Sequence, residues 1–264
     1  MHIFIKTLKD ESIITLVFCI ILALTIFLII QEFAIARHLD FSALMDKVPG
    51  PLKKIAESFL VLSIFGGYLH IIASVDWIII SGIFVSLVSA SLISREVEKK
   101  TLGLLMAHPV SRFSIISQKY FAFIIYLVII SLFSFLGFYL GINHGVIDVP
   151  YSMKIIARTI FNGFAFFFAL SALGLLFSVF FSEQKKASIA TMLYFFLSYL
   201  AFFLGAFSPR WALVKKLTLF QFFNTETLLF YGKFNLWNCI FLFIIGIVLY
   251  SLAVVIFYKK DIST

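Results

Sequence analysis

Long apolar runs alternate with short polar segments along the whole chain. Six runs of 18 to 28 residues contain no Asp, Glu, Lys or Arg. A helix needs about 20 apolar residues to cross about 30 Å of hydrocarbon. Because the runs are continuous rather than alternating, they indicate helices and not the strands of a barrel. The pattern predicts an all-α integral membrane protein of one transmembrane domain, residues 1–264, with spans at residues 12–31, 71–94, 117–141, 159–181, 188–207 and 235–258.

A seventh apolar run, at residues 59–75, has two interpretations. It contains Gly66-Gly67 and stops at Asp76. As a separate span it would raise the count to seven and place the chain termini on opposite sides. We favour an interfacial helix on the outer surface over residues 51–65, because Lys53 and Lys54 give it a polar side. The second span would then begin near Gly67.

Composition excludes a soluble domain. The chain is 62% hydrophobic, and 35 of its 264 residues are Phe, more apolar surface than a soluble domain of this length can bury. The net charge of +8 does not indicate nucleic acid, because Lys and Arg are spread among short loops. Positive residues next to spans, such as Lys185 and Lys259, fit the lipid headgroups of the cytoplasmic leaflet. We therefore expect a multi-pass protein of the cell membrane with both termini in the cytoplasm.

The loop between the second and third spans, residues 95–112, is the most charged part of the chain. Five of the six residues from Arg95 to Lys100 carry a charge. Glu96 and Glu98 suit the start of a short amphipathic helix, because acidic side chains favour a helix N-terminus. Pro109 would end that helix, and Ser111 would cap the next span. The pattern predicts an elbow in water, joined to two membrane helices.

The sequence of this elbow resembles the signature of type-2 ABC exporter permeases. The resemblance is carried by Glu96, Glu98, Thr101, Leu102, Leu104, Leu105, Pro109, Val110, Ser111 and Arg112, within the sequence E-V-E-K-K-T-L-G-L-L-M-A-H-P-V-S-R. Two positions depart from the family pattern, since Lys100 replaces the usual glycine and Gly103 a common acidic residue. The resemblance implies six transmembrane helices with a cytoplasmic coupling helix between the second and third. It also implies that the ten residues contact the ATPase.

The same resemblance implies the partners of the chain. Two permease subunits, either two copies or this chain with a sister permease, would work with two separate cytoplasmic ATPase subunits. The chain has no G-x-x-x-x-G-K-[ST] sequence, so ATP and Mg²⁺ would bind to the partner and this chain would hold no cofactor. It would not be an enzyme itself. The residues that bind the substrate are not assigned.

Small residues recur along the second span. Gly82, Ser86, Ala90 and Ser94 follow one another at every fourth position. Such a face lets two helix backbones approach closely, either within the chain or at a seam between two permeases. Residues 137 and 141 form a second pair of glycines at this spacing.

Other classes of membrane protein fit less well. A secondary carrier would have charges and prolines inside its spans, whereas here the spans are almost free of both. An intramembrane protease would need a sequence such as H-E-x-x-H, which is absent, and His70, His108 and His144 lack the spacing of metal ligands. A non-ABC protein, such as a carrier or a sensing or immunity protein, remains the alternative.

Overall fold

Six apolar runs of the sequence fold into long helices. The structure, a computed structural model, describes residues 2–36, 64–101, 111–144, 149–207, 214 and 216–260. Within these ranges one short helix precedes six that are long and apolar enough to cross a membrane. The helices are α1 (His2–Asp10), α2 (Ser12–Ala36), α3 (Phe65–Glu98), α4 (Arg112–Asn143), α5 (Met153–Phe180), α6 (Gln184–Phe207) and α7 (Leu236–Lys259). The predicted all-α fold with six spans is confirmed.

The helices extend beyond the apolar runs. The 34 residues of α3 measure about 51 Å at 1.5 Å per residue, against about 30 Å of hydrocarbon. Part of α3 must therefore lie outside the hydrocarbon, and its charged end at Arg95–Glu98 is the more polar of its two ends. The other end of α3 begins at Phe65, before the glycine pair, and has one π-helical stretch at Ile72–Trp77. Residues 51–63 of the predicted interfacial helix lie outside the described residues.

Helix α5 occupies the centre of the bundle and packs against α3, α4, α6 and α7. Gly174 permits the approach of α3, because a Cβ atom there would lie 2.0 Å from Oγ of Ser89. Trp77 of α3 is fully buried beside α5, and its indole N–H donates to Oγ of Ser134 at 2.9 Å. The packing of α3 on α5 thus fixes the helix that leads into the charged loop.

Helix α2 packs on α4 through the predicted pair of glycines. A Cβ atom at Gly137 would lie 2.7 Å from the carbonyl oxygen of Ala23, and one at Gly141 would meet Ile30 at 2.7 Å. Nε2 of Gln31 donates to the carbonyl of Gly141 at 2.9 Å. Most of α2 is exposed, and this crossing on α4 is its most extensive contact with the bundle.

The two ends of the bundle differ. We call the end where residues 95–112 connect α3 to α4 the loop face; α1 and Lys260 also lie there, against α4. The opposite face is covered by residues 218–230, which contain a 3-10 turn at Leu219–Phe222 and a π-helical turn at Glu226–Phe230. Phe220 and Phe223 of this segment are buried against Phe166 of α5.

Candidate functional site

Charged and polar side chains at the loop face join the ends of the helices to one another. We call this group the anchor cluster, and its members come from both ends of the 95–112 segment and from four other parts of the chain. They are Glu11, Arg95, Glu96, Glu98, Thr101, Arg112, Lys119, the backbone of Gln184 and Lys260.

Helix α3 ends after Glu96 and Glu98 and not before them. The N–H of Lys100 donates to the carbonyl of Val97 at 3.0 Å, and the N–H of Thr101 donates to that of Glu96 at 3.0 Å. This pair of bonds is the Schellman arrangement of a helix C-terminus. The prediction that Glu96 and Glu98 begin a new helix is therefore wrong, because both lie in the last turn of α3.

Lys100 adopts the left-handed backbone conformation that this ending requires, with φ of 55°. Glycine takes this conformation without steric cost. Because a lysine stands here where the family pattern has glycine, its Cβ atom clashes with the backbone. We expect Lys100→Gly to raise the free energy of unfolding by up to about 1 kcal/mol. Thermal melting of the purified chain would show this as a gain of about 2–4 °C. Lys100→Ala is the matched control: it also removes the charge but keeps the Cβ atom, so an equal gain from alanine would contradict the backbone explanation.

Glu96 pairs with a lysine buried in α4. Its Oε1 atom lies 2.9 Å from Nζ of Lys119, and the side chains are 15% and 8% exposed. The hydroxyl of Thr101 donates to the other carboxylate oxygen of Glu96. Charge-assisted hydrogen bonds of this kind are stronger than neutral ones. The pair holds the end of α3 against the third turn of α4.

Arg95 pairs with Glu11, which lies between α1 and α2. Helix α1 also binds α4, because the hydroxyl of Tyr126 donates to the carbonyls of Thr7 and Leu8 at 3.0 and 2.6 Å. The N-terminal helix is thus joined to both helices that flank the charged loop.

Glu98 caps the first turn of α6. Its Oε2 atom accepts a hydrogen bond from the N–H of Gln184 at 2.9 Å. A carboxylate at this place satisfies a backbone N–H that has no partner within its helix, and it is favoured by the helix dipole. The cap connects α3 to α6.

The other end of the loop binds the end of α7. Oγ of Ser111 accepts from the N–H of Ser114 at 3.2 Å, which confirms the predicted cap of the third span. Nη1 of Arg112 donates to the carbonyls of Tyr258 and Lys260 at 3.1 and 2.7 Å and lies 3.4 Å from that of Phe257. These carbonyls carry the negative end of the α7 dipole, so a guanidinium is favoured beside them.

Lys260 extends the same chain of contacts to α5. Its Nζ atom donates to the carbonyl of Val179 at 2.7 Å, near the end of α5. Burial lowers the pKa of Lys260 below its ordinary value, because the charged amine loses water there. Through Arg112 and Lys260, the ends of α4, α5 and α7 are held together.

The structure accounts for part of the predicted docking set. Glu96, Glu98, Thr101 and Arg112 all bind other parts of this chain, and Ser111 caps α4. Leu102, Leu104, Leu105, Pro109 and Val110 lie outside the described residues. The docking of residues 102–110 onto an ATPase stays a prediction.

The row of small residues on α3 is buried within the chain. A Cβ atom at Gly82 would lie 2.3 Å from the ring of Phe195 on α6. Ser86, Ala90 and Ser94 are fully buried, and the N–H of Ser94 donates to Oγ of Ser178 on α5 at 2.9 Å. The row therefore packs against α5 and α6, and its part in a seam between subunits stays a prediction.

The contacts of the anchor cluster join helix ends to one another. Among the described residues, no three His, Cys, Asp or Glu side chains are grouped so that they could hold a metal ion. Instead the cluster joins the loop-face ends of α3 to α1 and α6, and those of α4 to α3 and α7. A displacement of the loop between Thr101 and Ser111 would therefore act on several helices at once.

Comparison with known proteins gives one match. Residues 4–262 match the family described as ABC-2 family transporter protein. No curated protein and no solved structure matches the chain.

Proposed function

This chain belongs to the ABC-2 family of transporter proteins, and we propose that it is the permease of an exporter driven by separate ATPase subunits. It is a multi-pass membrane protein and a permease-type membrane subunit. The proposal adds the source of energy, the direction of transport and the position of the coupling site. The observation that supports the coupling site is the anchoring of both ends of the 95–112 loop to the bundle, and the direction of transport rests on the resemblance of this loop to exporter permeases.

The source of energy is a partner chain. No G-x-x-x-x-G-K-[ST] sequence occurs in the 264 residues, so ATP and Mg²⁺ bind to the partner ATPase. ATPase subunits are cytoplasmic, and the loop face is the side on which this partner docks. Both termini then lie in the cytoplasm, because α1 and Lys260 lie at the loop face.

Coupling works through the position of the loop. A partner shifts a conformational equilibrium only by binding one state better than the other. If closure of the ATPase pair moves residues 102–110, the ion pair of Glu96 carries the movement to α3 and α4. The bonds of Glu98 and Arg112 carry it to α6 and α7. Substrate then crosses the membrane as the helices rearrange.

A second permease, either another copy or a sister chain, completes the transporter. The support is the family resemblance of the loop together with the large apolar surface of α2, α6 and α7. In the described chain these three are the least buried of the long helices.

Copurification tests the coupling assignment. Leu105→Asp places a charge on the predicted docking surface, and we expect it to reduce the amount of bound ATPase at least about tenfold, as for loss of an interface hot spot. The control is Leu217→Asp, because Leu217 is 84% exposed at the opposite face. The measurement is the ratio of ATPase to permease after affinity purification, with the ATP hydrolysis rate of the complex. An unchanged ratio and rate for Leu105→Asp would contradict the docking site.

A further inference from the structure

A groove lies between α4 and α5 on the outside of the bundle. Its volume is about 440 Å³, within the range of about 300–1,000 Å³ that small-molecule sites occupy. Its walls are apolar, with Val128, Leu132 and Phe135 on α4 and Ala157, Phe161 and Phe164 on α5.

The groove suits a long apolar occupant. The hydroxyl of Ser131, which also lines it, already donates to the carbonyl of Leu127 at 2.8 Å, so it offers no free donor to a polar ligand. Leu132 and Phe161 are 62% and 43% exposed, which shows that the groove opens sideways rather than into the bundle. Because α4 and α5 both cross the membrane, the groove faces lipid. A hydrocarbon chain is therefore the ligand that its chemistry accepts.

A positive charge lies at one end of the groove. Lys154 precedes Ala157 by three residues and Phe161 by seven, so all three share one face of α5. Lys154 is exposed in the first turn of α5, at the opposite face, and it has no hydrogen bond or ion pair within the part of the chain that the structure describes. The neighbouring Arg158 lies 5.5 Å from the ring of Phe234 instead.

The first turn of α5 adds to this charge. Ser152 at the N-cap makes no side-chain hydrogen bond to the helix, and its carbonyl accepts from the N–H of Ile155 at 3.0 Å. Within the described residues, the N–H groups of Met153 and Lys154 therefore remain as donors. A helix N-terminus next to a lysine favours a phosphate. The apolar walls of the groove match the acyl chain of an anionic phospholipid, and the lysine at the helix N-terminus matches its phosphate group.

We propose that this groove binds one acyl chain of an anionic phospholipid, whose phosphate group lies beside Lys154. The lipid belongs to the leaflet at which α5 begins. It is a resident ligand and not the transported substrate, and the site does not depend on the proposed coupling to an ATPase.

The headgroup determines the selectivity of the site. Lipid tails are as apolar as the groove, so the acyl chain is held there by van der Waals packing, and this packing is the same for lipids with different headgroups. The attraction between Lys154 and the phosphate distinguishes anionic from zwitterionic lipids. One lysine near a membrane surface gives a preference of roughly fivefold.

Native mass spectrometry of the purified full chain tests the proposal. The chain is titrated with phosphatidylglycerol and with phosphatidylcholine of the same acyl length. We expect one phosphatidylglycerol to be retained roughly fivefold more tightly than phosphatidylcholine. Lys154→Gln should make the two lipids equal, and Lys233→Gln, at another exposed lysine beyond the same end of the bundle, should leave the preference intact.

Filling the groove gives an independent outcome. Ala157→Phe should abolish retention of both lipids, whereas Ser251→Phe, which enlarges an exposed position on α7, should change neither. A melting curve shows whether each variant is folded. A preference that survives Lys154→Gln overturns the assignment of the headgroup, whether or not Ala157→Phe folds. Retention unchanged by a folded Ala157→Phe overturns the groove.

Discussion

Replacing Glu96 by alanine is expected to lower the free energy of unfolding by about 3–5 kcal/mol. The variant leaves the ammonium of Lys119, whose side chain is 8% exposed, without the carboxylate that now lies 2.9 Å away. A buried charge without its partner is among the most costly changes that one substitution makes. The melting temperature in detergent should fall by on the order of 10 °C.

Two controls separate the buried charge from other effects. The double variant Glu96→Leu, Lys119→Met removes both charges, and we expect it to recover most of the lost stability. Glu183→Ala breaks the exposed pair with Lys186, at 2.5 Å and with side chains 53% and 61% exposed, and should cost less than about 1 kcal/mol. The interpretation would fail if the double variant melted no higher than Glu96→Ala.

Gly137→Leu should detach α2 from the bundle. A Cβ atom at this position would lie 2.7 Å from the carbonyl oxygen and 3.0 Å from the Cα atom of Ala23. Both are backbone atoms, so no side chain can rotate away and α2 must move as a whole. Overpacking commonly costs about 1–3 kcal/mol, and we expect the upper end or more because close approach of the backbones is what holds helices together in lipid.

The effect of Gly137→Leu is measured as loss of melting temperature and as proximity of α2 to the bundle. Cysteines introduced at Phe18 of α2 and Phe84 of α3, whose ring centroids lie 4.0 Å apart, would report the second quantity through the yield of chemical cross-linking in a chain whose native Cys19 and Cys239 are replaced by serine. Ser251→Leu makes a comparable enlargement on the exposed surface of α7 and should leave both measurements unchanged. Equal cross-linking in the wild type and in Gly137→Leu would show that α2 tolerates the larger residue without moving.

The sequence predicts the spans well because the membrane restricts the choice of structure. An uncharged run such as residues 12–31 has to satisfy its backbone hydrogen bonds internally, and a helix is the way to do so. The cap at Ser111 is likewise local, since its partner is the N–H three residues later. Such features depend on neighbours in the sequence and can be inferred from it.

The anchor cluster is harder to predict because its partners are distant in the sequence. Glu98 binds a residue 86 positions away, and Arg112 binds carbonyls at least 145 positions away. No local pattern indicates that the end of α7 will lie beside Arg112. The end of α3 differs from the prediction for another reason. Charged residues indicate where a chain leaves the lipid, but a helix can continue beyond that point, as α3 does through Arg95 to Glu98. The family pattern has glycine at position 100, and glycine commonly follows the last turn of a helix. This position therefore indicates where α3 ends, and Lys100 adopts the backbone conformation of such a glycine.

The hydrogen bonds of Arg112 also determine when the loop face can assemble during synthesis of the chain. Lys260 follows Arg112 by 148 residues, and at about 5–20 residues per second its synthesis comes roughly 7–30 s later. Until then the guanidinium of Arg112 has no α7 carbonyl to bind, and the end of α5 has no Lys260. The loop face is therefore completed late, when the last helix has left the ribosome and inserted. In a chain interrupted before α7, the guanidinium of Arg112 lacks the carbonyls of Tyr258 and Lys260 that it binds in the complete bundle.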